Sequence, residues 1–141
     1  MAKQKTKVLI VGGGFAGIKT ALEISNDQSF DISLLSNEEE FRYYPALYIS
    51  ATGGRLLASS VPLAEIFKDK PVNLIEDTAQ KIDRDKKTIL SKSGKKYSYD
   101  ILVLALGVVT NYFGIKGLKE YSYGIKTQAE AMELRDHIHK L

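Results

Sequence analysis

An α/β fold, a parallel sheet joined to an antiparallel β meander, is predicted by three features of this sequence. A continuous apolar run, Val8-Leu9-Ile10-Val11, leads directly into Gly12-Gly13-Gly14. A stretch with helical spacing and a second apolar-rich segment follow within ~30 residues, the layout of a βαβ unit. Further on, short β segments separated by charged or glycine-containing turns precede another apolar run, Ile101–Leu106. The 141 residues suffice for about one domain, which typically takes ~100–200.

The elements can be justified in order. Val8–Val11 has no polar interruption and carries β-branched residues, as strands buried on both faces do. Ile18, Ala21, Leu22 and Ser25 recur at helical spacing, giving a helix through Asn26. Asn26–Ser29 is turn chemistry, and Asp31–Ser36 is the second strand, reached by a right-handed crossover. Phe41–Tyr48 gathers aromatic residues around Pro45, and Thr52-Gly53-Gly54 breaks the chain. Pro62 opens a short helix containing Leu63, Ala64, Ile66 and Phe67. From Val72, the segments Val72–Ile75, Ala79–Ile82, Lys87–Leu90 and Lys96–Tyr99 read as the meander, with turn tips at Asp85-Lys86 and Ser93-Gly94. Ile101–Leu106 then returns to a buried strand ending at Gly107. Thr127 and Glu130 form a capping-box signature ahead of a helix with the apolar stripe Ala131, Leu134, Ile138 and Leu141. That helix stops without a glycine cap, as in a chain cut mid-protein. No internal repeat or low-complexity tract is present.

Composition narrows the function classes. The sequence is 44% hydrophobic and 26% charged with a net charge of +3, an ordinary globular mix. Its basic residues are scattered, and those between Lys81 and Lys96 alternate with Asp83 and Asp85 as on a solvated hairpin. A nucleic-acid footprint would need a continuous stripe. Cysteine is absent, which removes disulfides, thiol nucleophiles and thiolate metal sites from this chain. His137 and His139 stand two apart on a helix and so face different ways, which rules out a metal pair. Neither a Gly-x-Ser-x-Gly elbow nor a Walker lysine motif occurs, so no catalytic side chain and no metal ligand is assigned. Lys3, Lys5 and Lys7 precede an apolar stretch too short for a signal peptide. Ile101–Val109, broken by Gly107, is far below the ~20 residues of a membrane helix. The expected location is cytoplasmic.

The chemistry lies in Gly12-x-Gly14-x-x-Gly17. The first glycine allows the tight turn, the second lets backbone approach a pyrophosphate, and the third lets the helix pack close to the strand. The helix N-terminus adds N–H groups and the positive end of its dipole. The position after the second strand, where an acid ordinarily holds the ribose, is Ser36, followed by Asn37. A serine hydroxyl can bond a ribose, although more weakly than a carboxylate. No arginine adjoins it to read a 2′-phosphate, and Glu38–Glu40 read as a solvated loop. A strand before the turn and a helix after it mark a Rossmann-like FAD/NAD(P)-binding domain.

Four segments, Val8–Leu22, Phe41–Gly53, Val61–Phe67 and Tyr99–Gly117, occur in an order and spacing that resemble the N-terminal FAD domain of the type II NADH dehydrogenases (NADH:quinone oxidoreductases), within the two-dinucleotide-binding flavoprotein superfamily. The most specific piece is Tyr99-Asp100-x-Leu102-Val103-x-Ala105-x-Gly107 with Thr110-Asn111-x-Phe113-Gly114-Ile115-x-Gly117. The resemblance implies residues 1–117 as the N-terminal part of an FAD-binding domain, and 118–141 as a connector and helix leading toward an NADH-binding domain. It places Gly12, Gly14, Phe15, Ala16 and Gly17 at the pyrophosphate, and Ser36 with Asn37 at the AMP ribose. Ala79 would meet adenine through its main chain. Ala105, Leu106 and Gly107 form a second FAD contact, and Arg42–Leu47, including Pro45, runs beside the flavin. The implied activity passes electrons from NADH, as substrate, through FAD to a quinone. Peripheral membrane association and oligomerisation belong, on this reading, to the full-length protein, at the cytoplasmic face, and the fragment alone is expected to be inactive. The alternatives are a non-catalytic or degenerate dinucleotide-binding module, and a fragment of a sulfide:quinone reductase-type flavoprotein, whose relatives need cysteines.

Overall fold

The computed structural model of the chain describes residues 4–54 and 60–141; Lys3 of the basic N-terminal stretch lies outside them. The chain forms two compact units, one of residues 1–41 and 62–107, the other of 42–61 and 108–141.

The first unit is built on a parallel sheet. Thr6–Val11 (β1) leads through the glycine turn into the helix Phe15–Ile24 (α1), then Phe30–Ser36 (β2). Glu40–Arg42 (β3) and, after the undescribed residues, Ser60–Pro62 (β4) are short strands absent from the sequence expectation. They are followed by the single helical turn Leu63–Ile66 (α3) and by Val72–Glu76 (β5). Ala79–Asp83 (β6), Thr88–Ser91 (β7) and Lys96–Ser98 (β8) form the antiparallel three-stranded meander, and Ile101–Leu104 (β9) returns to the main sheet. The sheet order is β5-β2-β1-β9, with every pair parallel.

Alternate residues of a strand face opposite sides, and β1 uses both. Val8 and Ile10 pack with Ile18 and Ala21 of α1, Ile32 and Leu34 of β2, and Leu63 and Phe67. Leu9 and Val11 pack on the other side with Leu35, Ile89 and Tyr99 under the meander. The double burial predicted for Val8–Val11 is therefore met by a helical layer on one face and a β layer on the other.

Several sequence expectations need correction. Val72–Ile75 does not join the meander; it pairs with β2 as an edge of the parallel sheet, because α3 and its following turn carry the chain across as a crossover. The strand expected over Ile101–Leu106 ends at Leu104 and is not buried. Among the described residues it pairs with β1 alone, and Ile101 and Leu104 remain 45% and 52% exposed. The first helix stops at Ile24 rather than Asn26, since the Ser25 hydroxyl donates to the Leu22 carbonyl (2.8 Å) and Asp27 N–H to that of Ile24, an alternative to further helix that such residues favour. Lys87 sits in the β6–β7 turn at φ 47° and Tyr99 just beyond β8. Glu40 begins β3 instead of lying in a loop.

In the second unit, a 3-10 turn at Tyr44–Ala46 holds Pro45 and runs into Leu47–Ala51 (α2), neither foreseen in the sequence. The last helix is Gln128–Ile138 (α4). Its capping box is formed: Thr127 Oγ1 accepts from Glu130 N–H, and the Glu130 carboxylate accepts from Thr127 N–H. Only the first half of its stripe is covered. Ala131 and Leu134 pack on Leu47 and Ala51, whereas Ile138 and Leu141 are exposed. His137 stacks on the Tyr123 ring with centroids 4.8 Å apart.

Candidate dinucleotide site

The turn between β1 and α1 is shaped by close contacts. Gly12 has φ 116°, and a Cβ there would stand 2.2 Å from the Ala105 carbonyl oxygen. Gly12 therefore serves two needs, the left-handed backbone that glycine alone adopts readily and the close passage of the β9 end. A Cβ on Gly17 would fall 1.9 Å from the Gly12 oxygen, so the helix starts pressed against the turn it leaves. Gly14 differs. A Cβ there meets nothing within 4 Å, so its hydrogen faces open space in a turn otherwise filled by protein atoms.

That space suits an anionic group. Gly14 is the N-cap of α1, its carbonyl accepts from Ile18 N–H at 3.0 Å, and the first turn holds no acidic residue. The positive helix end is thus not neutralised by its own side chains, the condition under which such ends bind phosphate. An ADP pyrophosphate fits the missing side chain at Gly14 and the N–H groups of the first turn. Phe15 stands edge-on to Phe41, with ring centroids 4.8 Å apart, which fixes the helix start from the outer side.

The C-terminal ends of the neighbouring strands gather beside the turn, where open α/β sheets bind ligands. Gly12 N–H donates to the Leu35 carbonyl (2.8 Å) and Ala105 N–H to that of Val11 (2.8 Å). This brings Gly12–Gly17, Ser36, Asn37 and Ala105–Gly107 to one end of the sheet. Gly107 is at φ 72°, and a Cβ there would meet nothing within 4 Å. Ala79 opens β6 with its side chain against the Leu9–Val11 cluster, which leaves its main chain for any contact. Arg42 and Pro45 belong to the second unit, where the Arg42 guanidinium donates to the Gln128 side-chain oxygen.

Two features of this corner escaped the sequence. The first is Gly13, read as an unspecified position of the motif; a Cβ there would lie 2.6 Å from Ser36 Oγ. The second is Glu76-Asp77. Glu76 is the register partner of Ser36, and Asp77 N–H donates to the Ser36 carbonyl at 2.9 Å. A hydrogen bond with the Glu39 carboxyl, which favours the protonated form, and then the repulsion of the Glu39 charge push the Glu76 pKa up. Asp77 goes the other way. The Ser91 and Ser93 hydroxyls, with the Thr78 and Ser93 N–H groups, hold its carboxyl well below the usual range, and Tyr97 Oη donates to it at 3.2 Å. These bonds tie the β5 end to the meander. The acidity of a strand end facing a sheet neighbour was a signal the sequence did contain, once β5 is placed beside β2.

A cavity of about 370 Å³, floored by Leu34, Leu63 and Leu74 and rimmed by Glu39 and Glu76, adjoins Ser36. A larger one of about 580 Å³ lies by Lys7, Asp31 and Asn73, towards the N-terminal ends of the strands, away from the turn. Among the described residues no group of three potential metal ligands occurs, and no helix is long and apolar enough to cross a membrane.

A parallel sheet, a phosphate-suited turn and a meander on the opposite face are the architecture of a dinucleotide-binding domain. The chain belongs to the pyridine nucleotide-disulphide oxidoreductase family, whose model matches residues 6–140. It is 35% identical, over 98% of its length, to the type II NADH:quinone oxidoreductase of Staphylococcus aureus, of which it covers 35%. Among solved structures it is similar to the sulfide:quinone oxidoreductase of Aquifex aeolicus, with a TM-score of 0.87 and 35% identity over 96% of this chain and 32% of that one. It also shares the fold of NDH2 from Plasmodium falciparum, with a TM-score of 0.82 at 24% identity over 97% of this chain and 30% of that one. The chain thus spans about a third of the length of the curated relatives it matches.

Proposed function

We propose that this chain is the FAD-binding portion of a flavin-dependent oxidoreductase that passes electrons from NADH to a quinone. The observation that carries the reading is the open space at Gly14 within a turn whose other glycines are packed against protein atoms. In this reading Gly12, Gly14, Phe15, Ala16 and Gly17 hold the pyrophosphate, and Ser36 with Asn37 borders the AMP ribose. The Ala79 main chain meets adenine, and Ala105–Gly107 lets backbone approach the cofactor. Arg42 and Pro45 run beside the flavin. Bound FAD supplies the redox chemistry; the protein supplies position and electrostatics. The relation to type II NADH:quinone oxidoreductases supports NADH as donor and quinone as acceptor; peripheral attachment of the whole protein at the cytoplasmic face of a membrane is a further part of the proposal. The similarity to the Aquifex enzyme favours a second reading, with sulfide as donor.

Flavin absorbance and donor assays test both. The 141 residues alone should bind FAD weakly, lose it on dialysis, and oxidise NADH no faster than free flavin. The chain covers only 35% of the length of the type II relative, and orienting a nicotinamide against the flavin, which can supply ~7–11 kcal/mol of a barrier, is assigned in this reading to the rest of the protein. A longer protein carrying this chain should reduce quinone with NADH. Quinone reduction by sulfide without NADH oxidation would establish the second reading, and failure of both FAD and ADP to bind would refute the proposal.

A further inference from the structure

Ser36 ends β2, at the position where dinucleotide folds place a ribose-binding acid. The residue is only 4% exposed. Its hydroxyl proton goes to the Glu38 carbonyl at 2.8 Å, and its oxygen accepts from Glu38 N–H at 3.1 Å, a closed turn of the kind serine forms with its own backbone. The turn takes the one proton and one of the two lone pairs of the hydroxyl, and the burial of Ser36 screens the other from a ribose. The same oxygen is the atom a Gly13 Cβ would meet, at 2.6 Å, with Ser36 Cβ next at 3.1 Å. The loop is anchored from both sides, by Gly12 N–H on the Leu35 carbonyl and by Asp77 N–H on the Ser36 carbonyl.

We propose that Ser36 is a positioning residue, interlocked with Gly13, that sets the Asn37-Glu38 loop against the Gly12–Gly17 turn, so that the ribose meets the loop Ser36 shapes and not its hydroxyl. The interlock explains why three consecutive glycines stand here although the motif requires only two of them: a side chain at position 13 and the hydroxyl at 36 need the same space. The inference rests on reading the turn as a nucleotide site, while the interlock itself is a property of the chain without nucleotide.

Two experiments on the full chain test it. Calorimetry compares ADP, 2′-deoxy-ADP and 3′-deoxy-ADP on wild type and Ser36→Ala. The interlock predicts that Ser36→Ala weakens all three by the same factor, about fivefold for loss of the turn's hydrogen bonds. A loss confined to ADP, or none at all, overturns the proposal. Thermal unfolding of Gly13→Ala, Ser36→Gly and the double variant is the second test. Gly13→Ala should lower Tm clearly in wild type and less beside Ser36→Gly, because the two nearest atoms, Ser36 Oγ and Cβ, are gone and only Leu63 Cδ1, the end of a flexible side chain at 3.2 Å, still crowds the new methyl. Additive shifts overturn the interlock. If wild type binds none of the three nucleotides, the proposed function fails, and the unfolding cycle still decides the interlock by itself.

Discussion

The glycine turn and the β2–β5 corner lie at the same end of one sheet, yet they are built by different means. The turn is made by absence: Gly12 and Gly17 give room to the Ala105 and Gly12 carbonyl oxygens, and Gly14 gives room to nothing in the protein. The corner is made by side chains, with Ser36 folded on Glu38, Glu76 against Glu39 and Asp77 held by Ser91, Ser93 and Tyr97. Backbone sterics dictate residue type at fixed spacing, whereas a hydrogen-bonded corner can be assembled from many residues. The first kind of site announces itself in a sequence and the second does not.

The largest effects should come from the packed glycines. Gly17→Ala would drive a Cβ into a backbone oxygen 1.9 Å away, and Gly12→Ala would do so at 2.2 Å with a left-handed φ in addition. Backbone cannot swing aside as a long side chain can. Each should cost ~3 kcal/mol or more and lower Tm by roughly 10 °C, measured by thermal unfolding. A loss of the same size in Gly14→Ala would break the distinction between packed and open glycines.

The corner should answer to pH. The Asp77 carboxyl is held below its ordinary 3.8, so its contribution is present above that value and is lost as pH falls below it. Asp77→Asn should lower Tm at neutral pH and flatten the acid limb of the stability profile. An unchanged acid limb would mean that the bonds to Ser91 and Ser93 do not hold the β5 end. Glu76 has the opposite sign. Its raised pKa favours the folded state below the ordinary 4.5, and that contribution is lost as pH rises through the raised value, where the two carboxylates repel. Glu76→Gln should therefore raise Tm slightly at neutral pH, with the difference vanishing in acid. A Tm difference independent of pH would show that Glu39 is not its partner.

The sequence carried β1, α1, β2, the meander and the capping box of α4, because each rests on local patterning or on a residue type the backbone requires. It misplaced Val72–Ile75, since nothing local tells a parallel edge strand from a meander strand; only the sheet position beside β2 does. It called Ile101–Leu106 buried because an apolar run cannot show whether a second neighbour is present. The glycine positions of the site were legible. The fate of the Ser36 hydroxyl and the role of Gly13 were not, because both depend on atoms brought together by the fold.

The smallest effect concerns the second unit. Ser50 of α2 is fully buried, and its hydroxyl has no hydrogen-bond partner among the described residues. An unsatisfied buried hydroxyl is a cost, so Ser50→Ala should stabilise the chain by up to ~1 kcal/mol, read by denaturant unfolding. Destabilisation would show that the hydroxyl is engaged.

The central claim is that the space at Gly14 belongs to a nucleotide pyrophosphate. Calorimetric titration of ADP and FAD into wild type and Gly14→Val, each checked for Tm, tests it most directly. A Cβ at position 14 meets no protein atom, so Gly14→Val should keep a folded domain with Tm close to wild type. Binding heats should be saturable in wild type and absent in the variant. Equal affinities in two equally folded proteins would contradict the claim and place the ligand, if there is one, elsewhere.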